Sequence, residues 1–460
     1  VKIAVIGAGP GGYVAAVRAA RLGAQVTLIE QEEVGGACLN HGCIPTKTMI
    51  ASAGVFSKAR RLEEFGVDIS GTIRPDILKI VERKDKVVSL QVKGIKSLLK
   101  SRGVRLVEGR GGIVGKNLVK VVKTDGSAEN IEADGIIIAT GSRPAVLPQL
   151  PFNGDTIISS SDILHLNALP ESMIIVGAGA IGCEFACMFS EFGVKITLVE
   201  LKNRAVATED EEISEILERE FKKKKIALIK GVNIEKVGHD SGVGLLLSNG
   251  TEITAEKLLV SVGRSFNTED LGLEYIGIKK GPAGNISVDE KLETSVKGIY
   301  AIGDVIGGLL LAHVASREGF VAASNASGGN LSMDYSAIPA AIFTSPQIAS
   351  VGLREFQAKD RGMNVRVGRF QFRSLAMSHS IGEIAGIIKI IADADTDRIL
   401  GMHIIGPDAA ELIQQGTIAI NAGLKARDIA NMVHAHPTLS EVVMEAMADV
   451  NGESIHGVGL

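Results

Sequence analysis

Apolar runs of four to six residues, separated by glycine and polar turns, punctuate the chain, and two of them open the same longer pattern. Residues 1–30 read VKIAVIGAGPGGYVAAVRAARLGAQVTLIE, and residues 171–200 read ESMIIVGAGAIGCEFACMFSEFGVKITLVE. Short apolar runs bounded by turn signals predict buried strands, and the longer stretch of small and apolar residues between them predicts a helix. Each copy therefore reads as strand, glycine turn, helix, glycine stop and second strand ending in Glu. Gly7, Gly9, Gly12 and Glu30 correspond to Gly177, Gly179, Gly182 and Glu200 at a constant offset of 170 residues, and Gly23 corresponds to Gly193. From about residue 335 the pattern changes to apolar runs (AAIFTSPQIASVG, VRVGRFQF, GIIKIIAD, ILGMHIIG) mixed with helical stretches, which predicts an α+β segment.

The repeated unit is the mononucleotide-binding βαβ pattern. Its first glycine permits a tight turn, its second lets the backbone approach a pyrophosphate, and its third lets helix and strand pack closely. Amides at the helix N-terminus then meet the phosphate charge, and the terminal acid accepts hydrogen bonds from ribose hydroxyls. One such motif is weak evidence. Two copies with matching strand, helix, spacing and acid predict two bound dinucleotides. At the second site the Glu200 carboxylate repels a 2′-phosphate, which favours NAD over NADP, although Lys202 and Arg204 stand close enough in sequence to oppose it.

Composition narrows the class without changing this picture. The 460 residues are 45 % hydrophobic and 22 % charged, with a net charge of −4, so nothing draws the chain to nucleic acid or an acidic membrane. No apolar run reaches the roughly 20 residues needed to span a bilayer. The longest basic run, Lys222 to Lys225, is expected at the end of a solvated helix that starts at the acidic residues Glu209 to Glu212. The chain opens on a strand with no basic leader, which together with only four cysteines points to a reducing compartment, the cytoplasm or a mitochondrial matrix.

Two of those cysteines, Cys38 and Cys43, stand in GGACLNHGCIPTK, eight residues after the first repeat. A chain of this length needs no disulfide to hold its core, and a disulfide in a reducing compartment is catalytic or redox-sensing. Pro45 suits the first turn of a helix beginning near Cys43, where the dipole and Lys47, four residues on, favour a thiolate. A metal pair or a buried thiol pair is the bland alternative, but a metal needs two further ligands and no matching pair stands nearby. Cys183 and Cys187, inside the second repeat's helix, read as small core residues. HAHPTLSE, residues 434–441, offers an imidazole and a carboxylate, His436 and Glu441, of the types that deprotonate a thiol. On spacing alone that pair is as easily incidental, or a fragment of a metal site.

The run GGACLNHGCIPTK, the two glycine fingerprints and HAHPTLSE together resemble the flavoprotein disulfide reductases, within them the class I branch that oxidises dihydrolipoamide. The resemblance covers residues 1 to about 450. It implies two Rossmann-like dinucleotide-binding domains, for FAD and NAD, and a C-terminal α+β dimerisation domain. The implied FAD domain comprises residues 1–142 and 265–334, the NAD domain 143–264, and the dimerisation domain 335–460. FAD contacts are implied for Gly7, Gly9, Gly12, Glu30, Gly36, Lys47, Thr140, Gly141, Gly303 and Asp304. NAD contacts are implied for Gly177, Gly179, Gly182, Glu200 and Gly263; no metal is implied.

By the same resemblance Cys38 and Cys43 form a redox-active disulfide, with Cys43 facing the flavin and Cys38 exchanging with substrate. Lys47 pairs with Glu184, His436 is the acid/base, and Glu441 orients it. His436 is expected to reach the cysteines from the other subunit of a homodimer, and the partners implied are lipoyl domains or lipoyl carrier proteins of multienzyme complexes. Two residues depart from the commonest pattern: His41 lies between the cysteines where a small apolar residue is frequent, and Ala37 replaces a threonine. Glutathione and trypanothione reductases share the cysteine spacing but favour NADP, and mercuric reductase carries a C-terminal cysteine pair that the tail SIHGVGL lacks. A flavoprotein with a purely assembly role remains the reading from another class.

Overall fold

The structure is a computed structural model that describes residues 1–238 and 242–457. The first repeat forms β1 (Lys2–Ile6), α1 (Pro10–Arg21) and β2 (Gln25–Glu30), with β1 and β2 parallel in the register Lys2↔Gln25 to Ile6↔Ile29. They lie inside a five-stranded parallel sheet ordered Ile299–Ala301, Gly135–Ile138, β1, β2, Arg105–Glu108. Parallel strands need helical crossovers and bury both faces, and alternate residues of β1 point to different cores. Ile3 and Val5 pack with Ala15, Ala16 and Ala19 of α1. Ala4 and Ile6 pack instead with Val119 and Val121 of an antiparallel meander, Arg110–Gly115, Leu118–Val122 and Ala128–Glu132.

The second repeat builds the same arrangement. Its five parallel strands are ordered Ala227–Lys230, Lys195–Glu200, Ser172–Val176, Lys257–Val260, Ile157–Ile158. Met173 and Ile175 face the helix Ala180–Glu191, while Ile174 and Val176 face a second meander that includes Val243–Leu247. The duplication thus extends beyond the 30 residues legible as a repeat, to a whole sheet with a meander on one face. Two crossing segments join the units, Ser142–Pro144 pairing antiparallel with Arg264–Phe266.

The cysteine run leaves β2 as α2 (Gly36–Asn40) and α3 (Cys43–Ala59), with α4 (Ile77–Ser101) packed beside them. Back in the first unit, the helix Ala312–Ala326 follows the strand Ile299–Ala301 and crosses α1 closely: a Cβ on Gly319 would lie 2.3 Å from the Gly11 carbonyl oxygen. Only glycine allows that approach. The C-terminal part is a five-stranded antiparallel sheet ordered Ala340–Ile342, Gln347–Gly352, Ile399–Gly406, Ile387–Asp393, Val365–Gln371. Its core includes residues of the helices Ala409–Asn421 and Glu441–Asp449.

One expectation needs correction. The helix Glu211–Lys223 does carry basic residues at its C-terminal end and Glu211 is exposed, but the first two acids of its start are not solvated. Glu209 and Asp210 are 4 % and 1 % exposed because the C-terminal sheet covers them and supplies Lys389 and Arg354 as counter-charges. Among the described residues no helix is long and apolar enough to cross a membrane.

Candidate active site

The glycine turns of the two repeats form matching cradles. A Cβ on Gly12 would stand 1.8 Å from the Gly7 carbonyl oxygen, and one on Gly182 would stand 1.9 Å from that of Gly177. Gly7 and Gly177 have φ near +100° (101° and 100°), with Ala139 and Ser261 in the same position beneath them. Around Gly179 a Cβ would meet nothing within 4 Å, and the nearest atom to one on Gly9 would be Gly36 Cα at 4.0 Å. The second glycine of each turn is therefore open on the side from which a pyrophosphate approaches. The acids match as well. Glu30 accepts hydrogen bonds from the N–H groups of Ala8 (2.6 Å) and Glu32 (2.9 Å), and Glu200 from those of Ala178 (2.6 Å) and Lys202 (2.8 Å). Burial pushes the Glu30 carboxyl above its ordinary range despite those bonds. Arg204 is turned away, donating to the Ala207 carbonyl at 2.9 Å and lying 3.6 Å from Glu211.

Gly35 and Gly36 attach the cysteine run to the first cradle. The Gly35 N–H donates to the Ala8 carbonyl at 2.8 Å, and Gly36 packs so closely that a Cβ there would be 2.7 Å from Gly9 Cα. Cys38 on α2 and Cys43 at the start of α3 are free thiols 3.0 Å apart. The hydrogen bond from the Cys38 thiol, with the Lys47 charge behind it, outweighs burial and lowers Cys43 to about 7. That same bond, then burial and the Cys43 charge, pushes Cys38 up. The first proton to leave the pair therefore leaves Cys43, which also has the helix N-terminus in its favour.

Lys47, one turn along α3, extends to Glu184 on the second unit's helix, its Nζ 2.8 Å from both carboxylate oxygens. Glu184 is 5 % exposed and accepts a further bond from the Phe343 N–H at 2.9 Å. The Phe343 ring lies 4.8 Å from the Lys47 Nζ. A buried charge pair holds when its remaining lone pairs are satisfied, and here all three parts of the chain contribute.

The two crossing segments bond to each other and to the first unit's second glycine segment. Thr140 exchanges bonds with Asn267, its Oγ1 donating to the Asn267 carbonyl at 2.7 Å and its own carbonyl accepting from Nδ2 at 2.9 Å. Gly141 has φ +69° and Gly263 φ +125° at the two crossings between units. Asp304 accepts a hydrogen bond from the Ser142 hydroxyl and lies 3.5 Å from Arg264. Gly303 donates its N–H to Glu318 at 2.7 Å, whose other oxygen takes the Tyr335 hydroxyl at 2.8 Å.

His436 stands apart from these groups. Its Nδ1 is 2.8 Å from Glu441 Oε1, while the Thr438 N–H holds the other oxygen at 2.9 Å. Burial opposes ionisation of Glu441, but those two bonds prevail and lower its carboxyl. The His436 side chain is 70 % exposed within the single chain. Among the described residues His434 bonds only the nearby Met432 carbonyl, at 3.1 Å. One turn beyond Glu441, buried Glu445 holds a second imidazole, His456 Nδ1, at 2.6 Å. His41 is half-exposed, 3.9 Å from Glu32. Cys183 and Cys187 are buried core residues, as expected. Among the described residues no set of three or more His, Cys, Asp or Glu side chains is arranged to hold a metal.

Sequence reasoning missed Tyr13, Phe343 and Lys389. Tyr13, on α1, is close enough to Cys38 that burial and then the Cys38 charge raise its hydroxyl. Nothing local marks Tyr13 or Phe343, whose neighbours come from distant segments. Lys389 did carry a signal, as a lone cation inside the apolar run GIIKIIAD: lysines are almost never fully buried unless paired.

Residues 1–319 match the family described as pyridine nucleotide-disulphide oxidoreductase, and residues 338–447 match that family's dimerisation domain. The chain is 40 % identical over 470 residues to a dihydrolipoyl dehydrogenase of Bacillus subtilis, covering 99 % of this chain and 98 % of that one. It is 43 % identical over 451 residues to the dihydrolipoyl dehydrogenase of Chlorobaculum parvum, covering 96 % of each. Among solved structures it resembles LpdA of Mycobacterium tuberculosis, with a TM-score of 0.91 at 31 % identity over 97 % of this chain and 98 % of that chain.

Proposed function

Given that this chain belongs to the pyridine nucleotide-disulphide oxidoreductase family, we propose that it oxidises dihydrolipoamide to lipoamide with NAD⁺ as the final acceptor. The observation that carries the reading is the Cys38–Cys43 pair, 3.0 Å apart and fixed against the first dinucleotide cradle. FAD, when bound, supplies a two-electron carrier between the reduced cysteine pair and the nicotinamide. Its pyrophosphate and adenosine would be held by the Gly7–Gly9–Gly12 turn and Glu30, and Gly36, Lys47, Thr140, Gly141, Gly303 and Asp304 would complete the contacts. NAD would be held by the Gly177–Gly179–Gly182 turn, Glu200 and Gly263.

The remaining chemistry belongs to side chains. A substrate thiolate attacks Cys38 of the disulfide and displaces Cys43, which leaves as the better-stabilised thiolate. The second substrate thiol then attacks the mixed disulfide, releasing cyclic lipoamide and reduced Cys38. The dithiol loses two electrons and two protons; NAD⁺ takes a hydride, and one proton goes to solvent. His436 receives a proton from the attacking thiol, with Glu441 fixing its tautomer through Nδ1. Its exposure within one chain suits a homodimer in which the partner subunit's His436 serves Cys38 and Cys43. Lys47, held by Glu184, favours the Cys43 thiolate. The proposed partners are lipoyl domains or lipoyl carrier proteins of multienzyme complexes, in the cytoplasm or a mitochondrial matrix.

Steady-state assays with dihydrolipoamide and with reduced glutathione, each against NAD⁺ and NADP⁺, test the reading directly. Turnover confined to dihydrolipoamide with NAD⁺ supports it; preference for glutathione with NADP⁺ would overturn it. Cofactor released by acid should chromatograph as FAD, one per chain, and FMN would remove the first cradle's assignment.

A further inference from the structure

Beyond an apolar core in which Ile342, Ile348, Ile387 and Ile405 pack with the helices Ala180–Glu191 and Glu211–Lys223, the second dinucleotide-binding unit meets the C-terminal sheet through polar groups at two separate places. One is Glu184, which binds the Phe343 N–H next to Lys47. The other is a buried ionic cluster at the start of the helix Glu211–Lys223. There Lys389, from the middle of the strand Ile387–Asp393, is 2 % exposed. Its Nζ lies 2.9 Å from Asp210, 2.6 Å from Glu212 and 2.7 Å from Glu355. Arg369 binds the other side of Glu212 through Nε at 2.8 Å and Nη2 at 2.7 Å.

We propose that Lys389 is a positioning residue for the nicotinamide half of the reaction, fixing the segment between Glu200 and the helix Glu211–Lys223 against the C-terminal sheet. The apolar interface and the Glu184 contact hold the unit as a whole, and the cluster ties down the one segment that leads on from the proposed ribose acid. The cluster also lies where it matters most. Asp210 caps the helix that follows Glu200 by accepting the Glu212 N–H at 3.1 Å, so the segment from Glu200 to Asp210 is held at both ends. Glu200 is the acid assigned to the adenosine ribose, so movement of this segment displaces the dinucleotide as a whole. Without Lys389, Glu212 keeps Arg369 and Glu355 keeps Lys359, but Asp210, 1 % exposed, loses the cation that neutralises it and shifts to reach water. The loosened segment then holds the dinucleotide less exactly, and a displacement of about 1 Å in a reacting pair can lower a rate by on the order of a hundredfold.

The inference rests on the proposed function, and its test divides the reaction in two. In Lys389→Met holoenzyme, reduction of the bound flavin by NADH should slow by roughly tenfold to hundredfold. Its reduction by dihydrolipoamide should stay at the wild-type rate. Lys389→Arg, which keeps the charge, should recover most of the NADH rate. Hydrogen exchange supplies a readout independent of activity: amides from Lys202 to Ser214 should lose protection, while the Phe343 amide keeps its own. If Lys389→Met does not fold, Glu355→Gln and Arg369→Met, each removing one member, should give the same asymmetry in smaller measure. Equal slowing of both half-reactions, or protection lost equally at Phe343, would mean a general structural role and overturn the proposal, as would no change in either. Wild-type flavin that dihydrolipoamide fails to reduce would instead contradict the proposed function, leaving the NADH comparison readable.

Discussion

Lys47 and Glu184 are separated by 137 residues of sequence, yet the lysine ammonium lies 2.8 Å from both oxygens of the carboxylate. The pair joins the cysteine helix to the second dinucleotide unit and keeps a positive charge one helical turn from Cys43. Lys47→Met should therefore raise the Cys43 ionisation from about 7, because the lysine charge is among the causes that lower it. The pH dependence of iodoacetamide labelling at Cys43 in the dithiol form measures this. A midpoint unmoved by the change would assign the whole shift to the Cys38 hydrogen bond.

The two sulfurs should separate in reactivity. Cys38→Ser should abolish dithiol turnover while NADH still reduces the flavin, and the remaining Cys43 thiolate should give a long-wavelength absorbance band beside the oxidised flavin. Cys43→Ser should lack that band. Its appearance in the second variant only would reverse the roles.

His436→Gln should reduce dithiol turnover by about 10²–10⁴-fold, the usual contribution of a positioned base, with little effect on flavin reduction by NADH. Glu441→Gln should lower it less, since the imidazole remains. Mixing His436→Gln chains with Cys38→Ser chains should restore activity, because one site of the heterodimer then has an intact cysteine pair and an intact histidine. Subunit exchange shown by mass spectrometry, without recovered turnover, would place the histidine in its own chain's site.

At the second cradle, kcat/KM should favour NAD over NADP at least about tenfold, or about 1.4 kcal/mol. Glu200→Ser should narrow that ratio by relieving repulsion of a 2′-phosphate, with Arg204 contributing little while it is engaged with Ala207. Gly182→Ala should abolish NADH binding while leaving flavin content intact, since its Cβ would collide with the Gly177 carbonyl. Equal loss of both cofactors would show that the two cradles do not fold independently.

The ionic cluster also sets an acid limit. Burial opposes ionisation of Glu212, but Arg369 and Lys389 lower its carboxyl from 4.5 to about 2. A folded value below the unfolded one means the stabilisation is complete above about pH 4.5 and is lost as pH falls toward 2. Glu212→Gln should flatten the decline in Tm across that window, while an unaltered acid limb would assign the decline to other carboxylates.

Much of this molecule was legible because its signals are local. Both βαβ units are written in consecutive residues: glycines at positions a Cβ would obstruct, buried strands, an acid at the second strand's end. The cysteine pair and the His436–Glu441 dyad likewise lie within short segments. Residue types and spacing left their roles open, and only the resemblance to a family supplied them. The meanders behind each sheet were not read, since their short, half-buried strands lack an unambiguous period. The burial of Glu209 and Asp210 was misjudged because helix-end charges look the same in sequence whether they meet water or a buried lysine 179 residues away.

The matching cradles have a consequence for molecular discrimination. FAD and NAD share an adenosine diphosphate half, and the paired turns with their acids are built to read that shared half twice by the same hydrogen-bonding rule. Neither cradle, taken alone, can distinguish its proposed ligand from the other's. Sorting the two cofactors must therefore fall to the parts that are not duplicated: Gly36 and the cysteine helix against the first cradle, and the open surface beside Gly179 at the second. On the proposed reading, duplication supplied a general adenylate receptor, and the unrepeated segments make one copy the proposed flavin site and the other the proposed nicotinamide site.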